Sequence, residues 1–348
     1  MPDPDDKSNA RKVSFTDAAL KYPGVDAGAE KPQPCQPCED AAPETSGASL
    51  EEDYATAEGL LDEALDIVGR GGLIRLEPFE RLSGSFTERL LDGENLALAA
   101  YNKKTADYDV VSHSLNVGIL SLQVGKRHKL PRQDLQELCT SALLHDLGMV
   151  KVPRDIFLKP GSLSTTEREL LQKHPAVAYE AILGAHDATA SEKGMAEVAY
   201  SVHERCTGRG YPRRLSADEI PERAKLLGLI DMYEALTHNR PFRKRLPPLD
   251  AIKEIIATGR DCFPTDALKA LIDQLTTYPV GCSLRLNSGE ICRVVATNPF
   301  SPLRPVVEVI FSGSGKRLAE PRTLDLSRSP LQFIVDTVFE EDLPSPGV

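Results

Sequence analysis

Four histidines and two aspartates are the residues whose types and spacing could do chemistry. His113, the adjacent pair His145 and Asp146, His174, His203 and Asp231 all fall between residues 113 and 231. Imidazole and carboxylate are ligand types for zinc, manganese and iron, and mixed sets of them suit di-iron and di-manganese sites. The spacing predicts that these groups converge. His145 follows Leu135, Leu138 and Ala142 at helical intervals, so it shares their inward face. His174 lies three and four residues after Leu171 and Leu170, and Asp231 lies midway between Leu227 and Ala235. A lone buried histidine is more often a hydrogen-bonded core residue than a ligand. Several buried at once would each need separate compensation, whereas one shared site inside a helical bundle compensates them together. His128, His186 and His238 lie in polar surroundings and are read as surface residues.

The elements that must position these groups are amphipathic helices. Between about 105 and 275 the apolar residues recur at helical spacing, with short polar joints. One helix runs from His113 to His128 and the next from Gln133 to Leu147. Ser164 and Glu167 form a capping-box pattern that opens a helix reaching His174. A further helix is expected from Gly194 to Cys206, which places His203 inside it. Ser216 to Glu219 reads as another box-like start, before a long helix carrying Asp231. Upstream, Leu60, Leu61, Ala64, Leu65 and Val68 mark a helix stopped by Arg70-Gly71-Gly72, and a second covers about 76–103. After Pro279 the period changes to two. Leu284 and Leu286, the turn Asn287-Ser288-Gly289, Ile291 to Val295 and Val306 to Phe311 predict a small β domain, taken as an SH3-like barrel. The organisation is thus an acidic, Pro-rich disordered tail over 1–50, a helical region over 51–104, the ligand-bearing domain over 105–275 and the β domain over 276–340. The fold class is mainly α.

Composition limits the function classes. The 348 residues are 41% apolar and 27% charged, as in a soluble globular protein, and long enough for two or three domains. A net charge of −11 argues against general binding of DNA, RNA or anionic membranes. The sequence holds no apolar run of membrane-spanning length, and Met1-Pro2-Asp3-Pro4 is unlike a signal peptide, so a cytoplasmic location is expected. The seven cysteines are scattered, which suits a reducing compartment. Cys35 and Cys38 make a lone CxxC in the Pro-rich tail and are read as two plain thiols.

Residues 105–275 resemble the HD-GYP family of HD-superfamily phosphohydrolases. The matching stretches are His113-Ser-Leu-Asn-Val, His145-Asp-Leu-Gly, Leu158-Lys-Pro-Gly-Ser-Leu-Ser, Glu167 through His174-Pro, His203-Glu, Gly208-Arg-Gly-Tyr-Pro, and Asp231-Met-Tyr-Glu-Ala-Leu-Thr followed by Arg240-Pro-Phe-Arg. The resemblance implies a helical HD-superfamily bundle. It further implies hydrolysis of the second messenger cyclic di-GMP to pGpG or GMP with two divalent metal ions, iron or manganese, one or three being the alternatives. By position, His113, His145, Asp146 and Asp231 match the basic metal set, with Asp146 bridging and His145 and Asp146 at the catalytic centre. His174 and His203 match ligands of the second metal, and Asp109, one helical turn before His113, is an additional candidate. Arg240 and Arg243 match residues that hold the substrate phosphates, a task suited to guanidinium forks. Gly208, Gly210, Tyr211 and Pro212 match the GYP loop, which implies GGDEF-domain proteins as partners; a homodimer is a further expectation.

Three positions depart from the family pattern. Val202 stands where an imidazole ligand is usual, Met149 where a lysine is usual, and Thr207 where an aspartate is usual. They keep two other readings in play: an inactive cyclic di-GMP receptor or GGDEF-partner scaffold, and a one-metal HD phosphohydrolase acting on another nucleotide.

Overall fold

The computed structural model describes residues 49–94, 96, 109–183, 188–240 and 245–344, the last apart from 247, 260–262, 276–277, 279, 299–300, 302 and 339–342. The tail with Cys35 and Cys38, the residue His186 and the residue Arg243 lie outside the described residues.

Helix α1 (Leu50–Gly69) opens on a capping box between Ser49 and Glu52 and stops at Arg70 and Gly71. Helix α2 (Glu77–Leu91) is shorter than the periodicity suggested, because the chain turns at Asp92 and Gly93. Helices α3 (Val110–Arg127) and α4 (Arg132–Leu144) follow, then a 3-10 turn over Leu147–Lys151. Two short helices, α5 (Arg154–Phe157) and α6 (Thr165–Leu171), lead to α7 (His174–Leu183) and α8 (Ala190–Ser201). His174 therefore begins a helix rather than ending one. Helix α8 starts on a Thr189–Glu192 capping box and ends before His203, which sits in the turn beyond it. The Ser216–Glu219 box closes a turn on itself. The long helix α9 (Glu222–Thr237) starts only after Pro221. Helices α10 (Pro248–Gly259) and α11 (Thr265–Leu275) complete the bundle.

Two apolar clusters hold it together. One joins α1, α2 and α7 to α3 and α4, through residues such as Phe86, Leu61, Ile119, Leu143 and Ile182. The other joins α9, α10 and α11 to the opposite faces of the same pair, through Val117, Leu138, Leu227, Ile230, Ile255 and Leu271. Helices α3 and α4 contribute to both clusters, which makes them the centre of the bundle. Burying apolar surface on both sides leaves polar side chains in the middle to find partners among themselves.

The C-terminal part is an antiparallel sheet of β1 (Ser283–Leu286), β2 (Ile291–Ala296), β3 (Val306–Phe311), β4 (Arg317–Asp325) and β5 (Ile334–Val338), in the order β4-β3-β2-β1-β5. β1 and β2 are joined by the Asn287–Gly289 turn, with Leu284 opposite Cys292, and Leu284, Val294, Val307 and Val309 fill one face. β4 and β5 are the sheet edges. No described helix is long and apolar enough to cross a membrane.

Candidate metal centre

The six residues singled out in the sequence meet at one buried point, delivered in two ways. His113 projects from the first turn of α3 and Asp231 from the interior of α9. His145 and Asp146 end α4, His174 opens α7, and His203 follows α8. All six are at least nine-tenths buried. Their donor atoms form two groups, His113–His145–Asp146 and Asp146–His174–His203, each within 4.8 Å and sharing Asp146. Asp231 joins both sides: its Oδ1 is 3.2 Å from His113 Nε2 and 3.9 Å from His145 Nε2, and its Oδ2 is 3.4 Å from His203 Nδ1.

Hydrogen bonds fix which nitrogens face inward. His145 Nδ1 donates to the Ala142 carbonyl at 2.7 Å, and His174 Nδ1 donates to the Leu171 carbonyl at 2.8 Å. Each Nε2 therefore carries a lone pair. Both aim at Asp146 Oδ1, from 3.5 and 3.1 Å, and His203 Nε2 is 3.6 Å from the same oxygen. His145 Nε2 and Asp146 Oδ1 are buried without a hydrogen-bond partner. Lone pairs converging in a dry site repel one another unless a cation lies between them. The donor set thus fits divalent metal ions, and its chemistry is of the nitrogen–oxygen type that suits iron, manganese or zinc.

Sequence reasoning missed the residues behind this set. Glu234 is buried one turn after Asp231 and pairs with His113 Nδ1, while Asn116 Nδ2 donates to its other oxygen at 3.2 Å. A carboxylate behind an imidazole fixes its tautomer and strengthens it as a ligand. Burial alone would raise the Glu234 carboxyl, but His113 and His238 hold it down at about 2. Burial likewise opposes charge on His113, yet Glu234 and Asp231 raise it to about 10. Asp146 and Asp231, despite their burial, are drawn well below the usual carboxylate range by the imidazoles around them. The available signal was the i, i+3 spacing of two polar pairs, His113 with Asn116 and Asp231 with Glu234, on buried helix stripes. His238, read as a surface residue, packs half-buried with its Nδ1 3.0 Å from Glu234. His128 is also partly buried, beside Asp266.

Close backbone approaches set the second group. A Cβ on Gly148 would lie 1.9 Å from the His174 carbonyl oxygen, so only glycine lets the 3-10 turn pack against the start of α7. A Cβ on Gly210 would lie 2.2 Å from the Arg205 amide nitrogen, and that approach brings Tyr211 over the cluster. Its ring stacks on His203 at 4.9 Å and meets His174 edge-on at 6.0 Å. Glu204 is not a ligand. Its buried carboxylate accepts from the backbone amides of Arg213, Arg214 and Leu215 and ties the loop of Gly208, Gly210, Tyr211 and Pro212 in place. Asp109 caps α3, accepting from the Val111 and Ser112 amides and the Ser112 hydroxyl; neither donor group includes it. Thr207 pairs in an isolated bridge with Ser216 on the exposed side of this loop. Cys206 is disulfide-bonded, which the scatter of the cysteines did not predict.

The cluster opens into a cleft of about 390 Å³. Arg205, Arg240 and Lys159 supply cations to its lining, and Met149, Phe157 and Leu163 supply apolar surface.

Residues 87–263 match the family described as HD domain, and residues 284–345 match a KOW domain associated with HD domain. The chain belongs to the HD domain family. It is similar to a cyclic di-GMP phosphodiesterase of Pseudomonas aeruginosa, 31% identical over 68% of this chain and 56% of the relative. It is also similar to the cyclic di-GMP phosphodiesterase PdeB of Borreliella burgdorferi, 26% identical over 60% of this chain and 54% of that protein. The chain thus spans about half the length of these curated relatives. A solved structure of a HDG"Y"P protein from Bdellovibrio bacteriovorus superposes with a TM-score of 0.55 at 18% identity, covering 67% of this chain and 74% of that one. At that identity the likeness shows a shared HD-type fold.

Proposed function

We propose that this chain hydrolyses cyclic di-GMP, to pGpG or GMP, with two divalent ions, iron or manganese, held in the buried cluster. The observation that carries the reading is Asp146, one carboxylate common to two donor groups and faced by the Nε2 lone pairs of His145 and His174. Paired sites of this kind suit phosphodiester cleavage, in which both the attacking and leaving oxygens need stabilising. His113, His145, Asp146 and Asp231 would hold one ion, and Asp146, His174 and His203 the other. When bound, such ions supply Lewis acidity to the phosphodiester and lower the pKa of the attacking water.

The remaining work falls to the chain's own side chains. Glu234 keeps a proton on His113 Nδ1, leaving Nε2 free to act as a ligand. Tyr211 covers His203 and keeps that side of the cluster dry. Arg240, which lines the cleft, orients the non-bridging oxygens of the phosphate, and the resemblance alone assigns Arg243 the same task. The exposed arginines of the same loop, Arg209 and Arg214, offer a surface to a GGDEF domain. The convergence of six donors, with Val202 in place of a seventh, favours turnover over a receptor that has retired its site. Shared Asp146 favours two ions over one.

The test is turnover of cyclic di-GMP by the full chain, purified anaerobically and loaded with Fe(II) or Mn(II), with products resolved by chromatography. Metal-dependent pGpG or GMP, absent from an Asp146→Asn variant, is the expected result. Binding of the nucleotide with no product would leave a receptor. One ion per chain at saturation would favour the one-metal reading.

A further inference from the structure

The turn that carries His203 also carries a cation, Arg205. It lines the metal cleft together with Asp146, His203, Tyr211, Asp231 and Arg240. Three contacts fix its guanidinium. Nη1 donates to the Val202 carbonyl at 2.9 Å and to the Glu204 carbonyl at 2.8 Å, and the central carbon lies 6.0 Å from the Phe263 ring centroid. Gly228, on α9, leaves room for this arrangement: a Cβ there would lie 2.5 Å from the Val202 carbonyl oxygen and 3.4 Å from Arg205 Nη1. A long side chain fixed in advance gives up little rotamer freedom when it takes a ligand.

The partners that fix Arg205 are neutral, so they do not cancel its charge. Lys159, in the same lining, is instead paired with Glu167 at 2.7 Å. Both bonds to carbonyls run through Nη1. The Nε–Nη2 edge of the fork remains, and such an edge meets two oxygens of a phosphate side by side. Burial, Asp146 and Asp231 push the Tyr211 phenol up, and Arg205 and Arg240 are cations that oppose them. Both charges are therefore felt at the ring that covers the cluster. Met149, where the family pattern has lysine, lines the same cleft and carries no charge.

We propose that Arg205 binds the substrate, its Nε–Nη2 edge holding two oxygens of a phosphate of the cyclic dinucleotide, and so supplies the cleft cation that Met149 does not. This rests on the phosphodiesterase reading above and adds a recognition residue to that site. A fork already in place holds the phosphate alike in the ground state and the transition state, so its loss shows in KM rather than in kcat.

The experiment measures KM, kcat and the dissociation constant for cyclic di-GMP, with metal content, in the wild type and in Arg205→Met, Arg205→Lys and Arg209→Met. In Arg205→Met, KM and the dissociation constant are expected to rise about tenfold to a hundredfold, as loss of a charged hydrogen-bonding partner does. Its kcat is expected to stay within about threefold of wild type, and its metal content to stay unchanged. Arg205→Lys keeps the charge but not the fork, and both constants are expected between those of the wild type and Arg205→Met. Arg209→Met removes the same charge from an exposed position of the same loop and is expected to leave both constants unchanged.

Unchanged KM and affinity in Arg205→Met overturn the proposal. Loss of bound metal, or a fall in kcat without a rise in KM, also overturns it, because Arg205 would then be a brace for the turn. Should Arg205→Met fail to fold, Arg205→Lys decides: a raised KM with wild-type metal content supports the proposal, and a wild-type KM overturns it. Wild-type protein that binds cyclic di-GMP without turnover overturns the phosphodiesterase reading, and the dissociation constants of the variants still decide for or against Arg205. Wild-type protein that neither binds nor cleaves it overturns both.

Discussion

The two halves of the candidate metal centre are built by different means. His113, in the first turn of α3, and Asp231, inside α9, stand within long helices, and behind His113 lies a chain of side chains, Glu234, Asn116 and His238. His174 and His203 stand at helix ends. His174 is backed by a main-chain carbonyl, and His203 is covered by Tyr211 on a loop that Glu204 ties through backbone amides. The first half depends on side chains at His113 and on a main-chain carbonyl only at His145, whereas the second depends on backbone placement throughout. Asp146 belongs to both. A polar network buried between packed helices tolerates little movement, whereas ligands on turns are only as precise as the turns that carry them.

The contrast can be broken at its shared member first. Asp146→Asn removes a ligand from both halves, and turnover should fall at least about a thousandfold, since groups acting as one unit lose their joint effect together. Metal content by mass spectrometry should fall with it; full metal loading would show that Asp146 is not the common ligand. The next largest effect belongs to the backbone-built half. Gly148→Ala places a methyl group against the His174 carbonyl and must displace one of them. A misplacement of about 1 Å typically costs about a hundredfold in rate. Loss of one ion per chain, with the other retained, is the expected signature. Loss of both would mean the halves are not separable.

The side-chain-built half should respond more gently. Glu234→Gln keeps an acceptor for His113 Nδ1 but removes its charge, and metal affinity should weaken about tenfold, the low end for loss of a carboxylate behind a metal-binding histidine. Titration with Mn(II) followed by paramagnetic resonance measures it. Asn116→Ala, one bond further out, should cost less. Equal effects from the two would mean that the network acts as a single unit.

The residues of the buried cluster were legible because metal chemistry restricts residue types and the helical period restricts their faces. That reasoning reached His113, His145, Asp146, His174, His203 and Asp231, and the structure brings them together. It did not reach Gly148, and Gly210 was named only through the resemblance of its loop, because a spacing rule says nothing about which backbone will pass close by. It misjudged the 216–219 segment, where a capping pattern closes a turn and Pro221 fixes the true helix start. It offered Asp109 as a ligand where the carboxylate caps α3, since a local backbone amide is nearer than a distant site. The change from helical to alternating periodicity after Pro279 did mark the sheet, because strands with one buried face write their period into the sequence.

Val202 gives the smallest and sharpest test of the comparison. From sequence it is an absent imidazole, which suggests that the second half lacks a ligand. In the structure Val202 is buried in the apolar cluster with Val117, Val198, Leu227 and Ile230, and its carbonyl accepts from Arg205 at 2.9 Å. A histidine there enters an apolar core rather than the metal cluster. Its ring nitrogens would lack partners, at a cost of about 1–3 kcal/mol. Val202→His should therefore lower the melting temperature by a few degrees and leave the number of bound metal ions unchanged. A gain of metal or of turnover would show instead that the turn after α8 can rotate this position inward. The backbone-built half would then be adjustable in a way that the Glu234 network is not.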